Sequence, residues 1–191
     1  TVSVGVEQVP MAKRPFYLSI DLEDFTFDLH RAGGNQPIAN PEALWSSYEV
    51  LTRYLASRFQ GQRLTFFTTG TVARTVPDLV RRIADDGHEI ASHYNFHDPI
   101  SGQDAATVER NLVESVESIQ KASGQEPRGF RAPAFALPAC ADEVYGLIGR
   151  YFDYDWRSWS PASFGASRPS ATCRSPSSRS SAGRCSAGAS T

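Results

Sequence analysis

Apolar and polar positions follow two rhythms along this chain. Short apolar runs alternate with longer stretches in which apolar residues return every third or fourth position. The first rhythm marks strands covered on both faces, the second amphipathic helices. Tyr17, Leu18 and Ile20, entered through Pro15-Phe16, predict the first strand. A loop over 26–39 contains Gly33, Gly34 and Pro37. Asn40-Pro41-Glu42 then reads as a helix start: Asn caps free N–H groups, Pro has the φ of a first helical residue, and Glu complements the helix dipole. Leu44, Tyr48, Leu51, Leu55 and Phe59 follow at helical spacing, and Gly61 is the stop. Residues 63–70 predict a second strand, and 77–86 a helix with Leu79, Val80 and Ile83 inward. Residues 88–93 predict a third strand, and 103–123 a helix with Val108, Leu112, Val116 and Ile119 on one face. A strand and turn over 127–133, a helix over 141–149 and a strand over 152–156 complete the series. Strands alternating with helices imply βα units around a parallel sheet, either the first part of a barrel or a doubly wound sheet.

Composition changes this picture at the two ends. Residues 162–191 contain ten Ser, six Ala and four Arg, with no Asp, Glu, Leu, Ile or Val. Such a segment cannot bury enough apolar surface to offset the entropy of ordering it. Two origins fit this low-complexity tail: natural disorder, or translation out of frame from a GC-rich gene. The only methionine is Met11, so residues 1–12 read as a leader, disordered or vector-derived. The domain is expected over 13–161. Its 191-residue chain with 40% hydrophobic content and a formal charge of -2 suits a soluble globular protein. No stretch approaches the roughly 20 apolar residues of a membrane span, and no secretory signal pattern is visible, so the expected location is cytoplasmic. Nothing suggests a nucleic-acid surface. Cys140, Cys173 and Cys185 have no zinc-ligand spacing and give no disulfide framework. Oligomeric state is not legible in the sequence.

Charge placement carries the chemistry. Asp21, Glu23 and Asp24 crowd the end of the first strand, where carboxylates repel and recruit a cation. That position, past the C-terminal end of a parallel strand, is where α/β proteins build sites. An acidic motif there repels phosphate, which argues against a dinucleotide site. His93 and His97 follow the third strand four residues apart, a spacing that lets both reach one metal from a helical turn. Two His and one carboxylate make a facial set with open positions. A divalent metal in it lowers the pKa of bound water to about 7 and polarises a carbonyl. A further carboxylate can take the water's proton. Arg131, before Pro133, sits at the end of the fourth strand, where it can pair with a carboxylate of the first. His30 and His88 read as structural.

These motifs in this order resemble polysaccharide deacetylases of the NodB-homology type, carbohydrate esterase family four. Ser19–Phe25 resembles the family's first motif, in a variant with Asp-x-Glu-Asp. Leu64–Gly70 is similar to its second strand, Pro77 through His93 and His97 to its second motif, and Arg131–Phe135 to its third. The resemblance implies a distorted (β/α) barrel, here truncated after about five βα units. It implies a divalent metal, usually Zn2+, with Co2+, Ni2+ or Mn2+ as alternatives, held by His93, His97 and either Glu23 or Asp24. It implies Asp21 as base, aligned by Arg131, with Phe25, Pro133, Ala134 and Phe135 toward the substrate and a backbone N–H near Ala134 meeting the oxyanion. The implied reaction removes an N-acetyl group from an amino sugar; a cytoplasmic precursor of a surface polysaccharide such as O-antigen or exopolysaccharide is the expected substrate. Two other readings stay open: an amidohydrolase or deformylase on another amide, and an inactive metal- or sugar-binding remnant. The family also implies a general-acid His in a late Leu-x-x-His strand. Every His here lies at or before position 97. The chain as written is therefore expected to bind metal and turn over poorly.

Overall fold

In a computed structural model of the chain, the described residues are 17–24, 33, 41–137 and 142–156. Five strands lie side by side in chain order, every neighbouring pair parallel. They are β1 (Ser19–Leu22), β2 (Thr65–Thr68), β3 (Glu89–Ser92), β4 (Gly129–Phe130) and β5 (Tyr154–Asp155). Parallel neighbours need long crossovers, and helices supply them. α1 (Pro41–Arg58) joins β1 to β2, and α2 (Gly70–Thr75) with α3 (Pro77–Asp85) joins β2 to β3. α4 (Ala105–Ser123) precedes β4, and α5 (Asp142–Tyr151) precedes β5. The α/β class and the sequential order of a barrel's first five βα units are present. Among the described residues, β1 and β5 are the sheet edges.

Strand alternation divides the side chains between two faces. Leu22, Leu64, Phe66 and Ile90 pack against Tyr48 and Leu55 of α1 and Leu79, Val80 and Ile83 of α3. Phe130 packs with Val108 and Leu112 of α4 and Leu147 and Ile148 of α5. The other face carries a row across three strands, Asp21 beside Phe67 beside Ala91 in register. That face leads up to the site. α4 is bounded as a helix should be: Asp104 Oδ1 accepts the Thr107 N–H at 2.9 Å, and Gly124 closes the end at φ 74°.

The structure departs from the sequence pattern at several places. Tyr17 and Leu18 lie outside β1 and are exposed. α1 stops at Arg58, so Phe59 leaves the core stripe and stands 43% exposed, its ring 5.9 Å from that of Tyr54. The expected strand over 127–133 keeps only two residues, because Pro133 opens a 3-10 turn, Pro133–Phe135. α2 was not foreseen; Thr69 Oγ1 caps it by accepting the Val72 N–H at 3.3 Å. The expected cap Asn40, the 26–39 loop apart from Gly33, Phe25, His30, the three cysteines, the leader and the tail lie outside the described residues.

His88 is structural in geometry. It is 7% exposed, and its Nδ1 accepts the Leu64 N–H at 3.2 Å while its ring meets Tyr48 and Phe66. Burial holds its pKa below the ordinary 6.5, with Asp86 opposing. The neutral ring is the folded form, so its contribution is complete above 6.5 and is lost as pH falls from there through the lowered folded-state value. Urea midpoints should therefore decline as pH is lowered through this window. His88→Gln should flatten that part of the decline, and an identical slope in the variant overturns the assignment.

Candidate metal centre

Three strand ends converge on one point. Asp21 lies in β1 and Glu23 two residues on, so alternation aims both to one side. His93 follows β3 directly, and Arg131 follows β4. The His93 ring is nearly sealed from solvent, and its Nδ1 lies 2.8 Å from the main-chain oxygen of Arg131. A carbonyl only accepts, so Nδ1 donates there and Nε2 is the nitrogen turned toward the carboxylates. That Nε2 faces Glu23 Oε2 at 3.4 Å and Asp21 Oδ2 at 4.0 Å. His97 Nε2 comes within 2.7 Å of the same Glu23 oxygen, and the two imidazole centres are 5.4 Å apart.

Glu23, His93 and His97 each offer one ligand atom, and these atoms lie within 4.8 Å of one another. The buried Glu23 Oε2 has no donor in hydrogen-bonding geometry despite its two close imidazole neighbours. Burial pushes the Glu23 carboxyl upward, but His93 and His97 outweigh it and hold the group below its ordinary 4.5. One carboxylate oxygen and two imidazole nitrogens thus face one another across a space that a cation could fill. Two nitrogens and one oxygen suit a divalent metal of the zinc type, and the Nδ1–carbonyl bond is the outer contact that ligating histidines make. The donor set therefore fits a metal. Asp24 is buried but stands outside this group of three.

Asp21 belongs to a second arrangement beside the first. Its Oδ1 pairs with Arg131 Nη1, while Arg131 Nη2 donates to Ser19 Oγ at 2.7 Å. The Arg131 guanidinium is 4% exposed and lies 4.0 Å from the Phe67 ring centre, 4.7 Å from Trp156 and 5.5 Å from Phe135. Such stacking covers the faces of the cation while Nη1 holds the carboxylate. Pro133 is buried; Ala134 and Phe135 both take a left-handed φ of 52°, which lifts Phe135 to 53% exposure above the arginine.

The sequence pattern overlooked Ser19, Phe67 and Trp156. Register was the available signal: Ser19 shares the strand face of Asp21, and Phe67 is its direct neighbour in β2. The helical turn expected to join the histidines is absent. Residues 95–98 form a bend after Tyr94, at φ 69°, because the carbonyls of Tyr94 and Asn95 bond to the start of α2 instead of continuing a helix.

The metal-fitting cluster stands at the C-terminal ends of parallel strands, where α/β proteins build their sites. The comparisons with known proteins narrow this further. The polysaccharide deacetylase family model matches residues 39–149, and the chain belongs to this family. That match contains His93, His97 and Arg131 and begins after Asp21 and Glu23. A chitooligosaccharide deacetylase from a Bradyrhizobium strain is 31% identical over 70% of this chain and 57% of its own length. A peptidoglycan deacetylase from Helicobacter pylori is 33% identical over 48% of this chain and 30% of its own. The chain thus spans little more than half of the first of these relatives. A family 4 carbohydrate esterase from Streptomyces lividans, solved with acetate, shares the fold at TM-score 0.52 and 22% identity, over 72% of this chain and 60% of that one. A family pseudoenzyme from Bacillus anthracis shares it at TM-score 0.53 and 16% identity, over 73% and 42%. No helix among the described residues is long and apolar enough to cross a membrane.

Proposed function

We propose that this chain carries the metal centre and the base of an N-deacetylase that hydrolyses the N-acetyl group of an amino sugar. The observation that carries this reading is the convergence of Glu23, His93 and His97 beside the Asp21–Arg131 pair. Glu23, His93 and His97 hold the ion, Zn2+ being the best match to their donor set. Bound there, the ion would supply Lewis acidity for polarising the acetyl carbonyl and acidifying water. Asp21 stays off the metal. Arg131 occupies its Oδ1, which leaves Oδ2 on the side of the cluster to accept a proton from the attacking water. An N–H at Ala134 faces the developing oxyanion, and exposed Phe135 offers a flat apolar surface to the sugar. Pro133 and Phe25 flank that surface in this reading. The leaving nitrogen needs one proton, and Asp21 holds the one taken from water. With Asp21 serving both proton transfers, acetate release by this chain is expected to be slow.

The test is metal analysis of the purified chain followed by acetate release with Zn2+ or Co2+ added. Bound metal with slow acetate release from N-acetylated saccharides supports the proposal. Bound metal with no release supports an inactive metal-binding remnant, and release from simple amides alone supports the amidohydrolase reading. Substrates should include chitooligosaccharides, peptidoglycan fragments and nucleotide- or lipid-linked amino sugars. Preference for the last group supports a place in O-antigen or exopolysaccharide synthesis and a cytoplasmic site of action.

A further inference from the structure

Tyr94 is fully buried in a left-handed conformation, φ 69°, which side chains with a Cβ disfavour. Something must hold it there. Its N–H donates to Ser92 Oγ at 3.1 Å, and its hydroxyl donates to Gln103 Oε1 at 2.8 Å. Asn95, also fully buried, uses its whole carboxamide. Nδ2 donates to Asn111 Oδ1 at 3.1 Å and to Glu114 Oε2 at 2.7 Å, both on α4. Oδ1 accepts from Arg74 Nη1 of α2 at 2.8 Å, and that arginine also reaches Ser118 Oγ of α4 at 2.9 Å. A carboxylate only accepts and a guanidinium only donates, so these partners dictate the orientation of the amide. The main-chain oxygens of Tyr94 and Asn95 accept the N–H groups of Gly70 at 2.9 Å and Thr71 at 3.0 Å. A Cβ on Gly70 would sit 2.4 Å from Asn95 Oδ1, so only glycine lets α2 approach this closely.

We propose that Asn95 is a positioning residue for the metal centre. Locked between α2 and α4, it holds the left-handed turn at Tyr94 that brings His97 Nε2 to the Glu23 oxygen already faced by His93. His93 is tied separately, through Nδ1, to the Arg131 carbonyl. Loss of the lock therefore lets His97 move while His93 stays. The inference rests on the reading of Glu23, His93 and His97 as metal ligands.

The test uses the full chain and Zn2+ titration below the unfolding midpoints of all variants. Asn95→Asp preserves size but puts a carboxylate against Glu114. It should weaken Zn2+ binding about 10–100-fold, the range for outer partners of metal ligands. It should also change the visible absorption of the Co2+-loaded protein. Adding Glu114→Gln supplies an amide donor to the new carboxylate and should recover most of the affinity. A purely structural Asn95 lowers the unfolding midpoint but leaves the folded chain's affinity and cobalt spectrum unchanged, and that outcome overturns the proposal. If Asn95→Asp does not fold, Arg74→Ala decides: it removes the cation from Asn95 Oδ1, should weaken binding in the same direction, and overturns the proposal if affinity is unchanged. Failure of the unaltered chain to bind Zn2+ overturns the metal reading itself, and so is distinct from a failure of the lock.

Discussion

Glu23→Gln should abolish most metal binding while leaving the fold intact. The residue supplies the only anionic ligand atom of the three that converge. Its loss should weaken Zn2+ binding by at least about 10²-fold, the upper end of what loss of an outer partner alone costs. The metal-free chain should change little by comparison. Glu23 Oε2 lies 3.4 Å from His93 Nε2 and 2.7 Å from His97 Nε2, and the two imidazoles hold its carboxyl below the ordinary 4.5. Neutral Gln gives up that attraction, so the metal-free unfolding midpoint should fall modestly. Zinc at 100 times its dissociation constant should stabilise the unaltered chain by about 2.7 kcal/mol and the variant by almost nothing. Thermal unfolding with and without Zn2+, for both proteins, reads both effects at once. Equal zinc stabilisation would remove Glu23 from the ligand set and return Asp24 to consideration.

The second large effect belongs to Asp21. Asp21→Asn should leave Zn2+ affinity within a few-fold, because Asp21 Oδ2 stands 4.0 Å from His93 Nε2 and Oδ1 is taken by Arg131. Acetate release should fall about 10²–10⁴-fold, the usual contribution of a positioned base. The amide still offers an oxygen to Arg131, so the fold loses charge assistance and keeps the hydrogen bond, a cost of roughly 1–2 kcal/mol. The two variants thus separate cleanly: one loses metal with its fold unharmed, the other keeps metal and loses proton transfer. Unchanged acetate release by Asp21→Asn would sink the base assignment.

Much of the architecture was legible because it rests on local periodicity. The inward residues Leu79, Val80 and Ile83 of α3 and Val108, Leu112 and Ile119 of α4 are all buried where their spacing placed them. Phe59 failed the same rule because the helix ended one residue earlier. α2 escaped notice because its start depends on Asn95, some two dozen residues later in the chain: the site for Gly70 is defined by that close approach, which no local window contains.

The sequence by itself determined which chemistry-bearing residues stand at which strand ends. Short apolar runs alternating with helical crossovers give parallel strands whose ends face one way, and so Asp21, Glu23, His93 and Arg131 fall at one end of the sheet. Tertiary structure alone decided how they meet. It put Glu23 and not Asp24 beside the imidazoles, set the two histidines together through a left-handed bend instead of a helical turn, and enclosed Arg131 among Phe67, Trp156 and Ser19. The physical reason is range. Periodicity is a property of neighbours in the chain, whereas a buried hydrogen bond or a stacked cation is set by partners that only the packed sheet brings within a few ångströms.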